Sequence, residues 1–206
     1  MAATPLPYRR HFVQAGGEWN RLESYMRTLA AILIMTTPTI GHAGTQYWEY
    51  GDWQVIVEIV DTGQDLRVNC TALTGGDGDP SLRIEVSNGD AGPPNFYPNP
   101  TLKDVVIRGY PTQLKEGQHV VFKVDDGTKV SGSVISGSDE NGFPWVVAEP
   151  NQKDSLRLLQ AMQRSNQVSF IVEGKPFYFN ASLAGFTASY GKIAEQCEFP
   201  TVGVIE

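Results

Sequence analysis

Little in this chain suits metal, redox or triad chemistry. Of its 206 residues, two are cysteine and three are histidine. His11 and His42 fall within the first 43 residues, so His119 stands alone in the rest. One histidine and two distant cysteines do not supply the three or four ligands of a zinc site, and no metal is expected. A redox role wants a close pair such as Cys-x-x-Cys, which is absent. A catalytic triad needs a nucleophile, a base and an orienting group. No Gly-x-Ser-x-Gly elbow accompanies His119, and Gly132-Ser133 and Gly137-Ser138 sit in polar, turn-like surroundings. No motif points to a cofactor, and none is expected. Long apolar runs are also missing: the longest, residues 29–35, falls well short of the roughly 20 residues a membrane helix needs.

That short run has a recognisable setting. Residues 26–43 read MRTLAAILIMTTPTIGHA, with Arg27 before the run, Pro38 after it, and Gly41 and Ala43 at its end. A basic start, an apolar core and small residues at −3 and −1 are the layout of a secretory signal. The mature chain is then expected to begin near Gly44 or Thr45 and to reach the periplasm or the exterior. Residues 1–25 show no apolar periodicity, which suggests Met26 as the true start; an extended n-region is the alternative. Residues 44–206 suit one exported domain.

Basic residues are scarce beyond residue 44. Of the 16 basic and 23 acidic residues, Arg9, Arg10, Arg21, Arg27, Glu18 and Glu23 precede it, leaving 12 against 21 and a formal charge of −9. Such a surface repels phosphate backbones, so nucleic acid is not an expected partner. Closely spaced carboxylates recur, but residues 75–79 (GGDGD), although similar to part of a calcium loop, lack its downstream glutamate and read as a polar turn. Acidic side chains are numerous enough for glycoside hydrolysis, yet no pair is singled out.

Alternating apolar and polar residues dominate the remainder. Strands are expected over residues 53–60, 66–73, 82–86, 105–107, 120–124, 130–135, 144–148, 168–172 and 177–180. Asp126-Gly127 and residues 173–176 read as hairpin turns, and residues 89–100 as a long Pro/Gly loop. Leu66, Val68, Cys70 and Ala72 share one strand face. A helix is expected near residues 155–164, capped by Asp154, with Leu158, Leu159 and Met162 on one side. A second, near residues 186–197, lines up Phe186, Tyr190, Ile193, Ala194 and Cys197 with a 3.6-residue period. The expected class is mainly β, a two-layer sandwich-like domain with two short helices. In an oxidising compartment Cys70 and Cys197 are expected to pair and pin the last helix to the sheet, two buried thiols being the alternative. Aromatics crowd residues 47–53 and recur at Phe96, Tyr97, Phe143 and Trp145. Core packing accounts for most, while Phe96 and Tyr97, on a loop, are candidate anchors for a partner.

Two stretches carry a family resemblance. Tyr50-Gly51-Asp52-Trp53 before a strand, and residues 182–190 (SLAGFTASY) before the last helix, resemble the opening and closing segments of secreted invasion-associated locus B proteins. The order of elements between them is also similar. The additional mid-chain cysteines of that family have no counterpart in residues 131–148. The resemblance implies an exported β-rich protein and no catalytic residues. The expected function is therefore an exported, non-catalytic protein that binds an envelope protein or surface component. The alternative is an envelope-polymer hydrolase working through acidic side chains.

Overall fold

Ten strands, most of them with period-two alternation, form in a computed structural model that describes residues 44–206 except 77–79, 91 and 173–177. They are β1 (Gly44–Tyr50), β2 (Trp53–Asp61), β3 (Leu66–Gly75), β4 (Ser81–Ser87), β5 (Pro100–Val105), β6 (His119–Val124), β7 (Lys129–Ser138), β8 (Pro144–Pro150), β9 (Gln167–Val172) and β10 (Tyr178–Ser182). Two helices complete the fold, α1 (Ser155–Arg164) and α2 (Phe186–Gln196). The mainly β class with two helices is thus as expected. All ten strands belong to one antiparallel sheet in the order β1-β2-β3-β4-β5-β8-β7-β6-β9-β10. The signal-like leader, the Asp77-Gly78-Asp79 run and the turn at residues 173–176 lie outside the described residues.

Several local expectations need correction. The strand expected at residues 105–107 lies earlier: β5 opens on Pro100, a tolerated first position, and Ile107 falls beyond its end. β1 was not expected, because GTQYWEY is an edge strand with almost no burial to impose a pattern. Leu66 does not join the core face; it sits at the outer end of β3 and is 56% exposed. Asp154 occupies the N-cap of α1 without capping it. A 3₁₀ turn (Gln152–Asp154) leads straight into the helix, so Asp154 has helical rather than extended backbone and its carboxylate pairs with Arg157 at 3.5 Å.

One continuous core unites the sheet and both helices. Its inward rows include Trp53, Val55 and Val57 of β2, Leu82 and Ile84 of β4, Phe122 of β6 and Phe170 of β9, joined by Leu158, Leu159 and Met162 of α1. Each such side chain contributes roughly 1.5–3 kcal/mol on leaving water. α2 lies over β1, β2 and β3. There Cys70 and Cys197 form the expected disulfide, with Cα atoms 6.2 Å apart and both residues buried.

The sheet curls far enough for β10 to approach β3. The two motif-bearing segments meet at this seam. Asp52 N–H donates to the Ala184 carbonyl at 2.9 Å, and Trp53 Nε1 donates to that of Ser182 at 2.8 Å. The Trp53 ring meets Phe186 edge-on with centroids 5.3 Å apart. Both segments therefore have a structural reason for their composition.

Tyr190 is fully buried, and its hydroxyl meets no partner among the described residues. Burial, with a lesser influence from Tyr97, pushes its ionisation above the ordinary 10.0. The stability tied to this shift is complete below pH 10 and is lost as pH rises further, because the unfolded phenol ionises first. Tyr190→Phe should be neutral or slightly stabilising at pH 7, within about 1 kcal/mol, and should gain on the wild type above pH 10. Denaturant unfolding at both pH values checks this. A loss above about 2 kcal/mol at pH 7 would reveal a hydrogen bond to the hydroxyl.

Candidate binding surface

Strand alternation that sends Leu102, Val146, Ala148, Val130 and Val134 inward sends a second apolar set outward. Register places Val105 opposite Trp145, and Trp145 and Val147 opposite Gly137 and Ile135. These residues form a patch on the solvent side of β5, β8 and β7. Val105 and Ile135 are 49% and 46% exposed, and Trp145 and Val147 are half-buried. Ile107 and Phe143, just outside the ends of β5 and β8, are exposed as well. Trp145 lies over Gly137, where a Cβ would come within 2.4 Å of the indole. A contiguous apolar patch on a sheet face is informative in a way that scattered exposed residues are not.

The patch runs into a groove at Val147. Two adjoining recesses, of about 470 and 370 Å³, share Glu85, Val86 and Asp90. The first also touches Phe96, Thr101, Val147 and Glu149; the second reaches Glu58, Asn69 and Thr71. Together they cross the outer face from β2 to β8, beside the 88–99 loop. Glu85 is held by Arg83 at 3.2 Å and Lys103 at 3.6 Å. Among the described residues no ion pair neutralises Glu58, Asp90 or Glu149.

The loop separates the two aromatics expected to act together. Gly92 and Phe96 close a tight turn through Gly92 N–H to Phe96 O at 3.1 Å and Phe96 N–H to Gly92 O at 3.0 Å. Phe96 is left 45% exposed on the groove's rim. Tyr97 points the other way and is buried. Its hydroxyl donates to Val202 O at 3.2 Å, and its carbonyl accepts from Gln152 Nε2 at 2.6 Å. Tyr97 is thus no surface anchor; it fastens the loop that displays Phe96.

Other sites offer less. His119 is exposed at the start of β6. No cluster of three or more His, Cys, Asp or Glu residues among the described residues is placed to hold a metal. A recess of about 610 Å³ separates α1 from residues 202–206. Two of its polar groups are engaged, Gln160 donating to Gly203 O at 2.8 Å and Arg164 pairing with Asp126 at 3.7 Å. No described helix is long and apolar enough to cross a membrane.

Sequence reasoning missed Val105, Ile135, Trp145 and Val147. A signal was present: residues 144–148 (PWVVA) are apolar at consecutive positions, the mark of a strand covered on both faces. Here no described element covers the outer one. No protein-family model, curated protein or solved structure matches the chain.

Proposed function

We propose that this chain is an exported, non-catalytic binding protein that engages another envelope component through the outer face of β5, β8 and β7. The observation that carries this reading is the uncovered apolar patch continuous with the groove beside Phe96. The signal-like residues 26–43 support export, and a buried disulfide suits an oxidising compartment. Resemblance to the invasion-associated locus B family is part of the proposal and rests on the two segments that meet at the seam. The groove's carboxylates motivate the hydrolase alternative. Glu85, however, is exposed and already engaged by two cations, Arg83 and Lys103.

Immobilised protein should retain an envelope component that Ile135→Asp and Val147→Asp fail to retain, while both variants unfold at the wild-type denaturant concentration. Equal retention by well-folded variants would refute the docking face. Release of soluble fragments from purified envelope polysaccharide, abolished by Glu149→Gln, would replace binding with hydrolysis.

A further inference from the structure

We propose that the occupant of this face is an extended, cationic and apolar peptide segment of another protein, lying across the strands from Glu58 to Val147. The inference rests on the docking reading and specifies the partner's chemistry.

Charge complementarity argues first. Glu58, Asp90 and Glu149 spread along the groove without neutralising partners among the described residues, on a chain whose residues beyond 43 carry −9. Surface ion pairs contribute little affinity each, so these carboxylates select and steer a cation. Apolar contact with Phe96, Val147 and Trp145 supplies the binding. Dimensions agree. Four inter-strand steps separate β2 from β8, about 19 Å at ~4.8 Å each, which roughly six residues of extended chain span. Two other occupants fit less well. An anionic lipid surface would be repelled by the same carboxylates. A second copy would bring like-charged faces together, since a two-fold contact pairs the same patch with itself.

The test uses labelled synthetic peptides of about ten residues, alternating Lys-Leu, Glu-Leu or Lys-Ser, titrated into the full protein and followed by anisotropy. The Lys-Leu peptide should bind, with affinity falling at least about tenfold between ~50 and ~500 mM salt. A similar loss is expected in the combined Glu58→Gln, Asp90→Asn, Glu149→Gln variant, and in Ile135→Ser, which removes the apolar side chain paired with Val147 without adding a charge. Glu-Leu and Lys-Ser should bind at least about tenfold more weakly. Undiminished binding to the neutralised variant, equal binding of Glu-Leu, or binding of none overturns the cationic assignment. In those cases the docking reading still stands if Ile135→Asp abolishes retention of the envelope component. Peptide binding that ignores Ile135→Ser, together with retention that ignores Ile135→Asp, overturns the two together. Adsorption to phosphatidylglycerol vesicles, or a dimer in sedimentation that Ile135→Asp dissolves, overturns the inference in favour of a membrane or a second copy. Unfolding midpoints of each variant confirm that the fold is intact.

Discussion

Cutting the Cys70–Cys197 bond should lower stability by about 2–5 kcal/mol. The bond joins residues 127 apart, and the chain-entropy account gives about 4–5 kcal/mol for a loop of that size as an upper guide. Cys197→Ser isolates the cross-link well, because the sulfur lies 3.4 and 3.5 Å from the carbonyl oxygens of Val68 and Val86. A serine hydroxyl there has acceptors at hand, so little is added for an orphaned polar group. The helix α2 should loosen first. At eleven residues it is too short to persist alone, and it is held by Phe186, Tyr190, Ile193 and Ala194 on the sheet. Denaturant unfolding with and without reductant gives the magnitude, and hydrogen exchange over residues 186–197 gives the order. Identical midpoints in oxidised and reduced protein would sink the idea.

Gly185→Ala should be comparably damaging, at about 3–5 kcal/mol. Gly185 has φ +101 at the N-cap of α2, and a Cβ there would sit 1.6 Å from the Tyr50 carbonyl oxygen. The obstacle is backbone, so no side chain can swing aside. Relief means parting the seam, with loss of the Asp52–Ala184 and Trp53–Ser182 hydrogen bonds. Gly63→Ala is the control: φ is +77, but nothing lies within 4 Å of the added carbon. It should cost only the left-handed strain, about 1–2 kcal/mol. Equal losses at the two sites in denaturant titrations would show that close approach at the seam is not what matters.

What the sequence disclosed was local. Alternation in WQVIVEIV and LRIEV, the Asp126-Gly127 turn and the stripe from Phe186 to Cys197 each depend on neighbours within a few residues. The pairing of β5 with β8, across β6 and β7, depends on none of them. Phe96 and Tyr97 could not be told apart because their directions are set by the 92–96 turn and by Val202, more than a hundred positions away. Half of the candidate site was visible as PWVVA, but the missing cover over its outer side is a property of the whole sheet.

The seam between residues 50–53 and 182–186 also bears on how the protein is made. Trp53 waits for Ser182, 129 residues later, and at about 5–20 residues per second that wait lasts roughly 6–26 s. Throughout it the inner rows of β2 and β3 lack the helix that will cover them, and contacts so distant in sequence are slow to form. A nascent chain stalled before Ser182 would keep that surface bare.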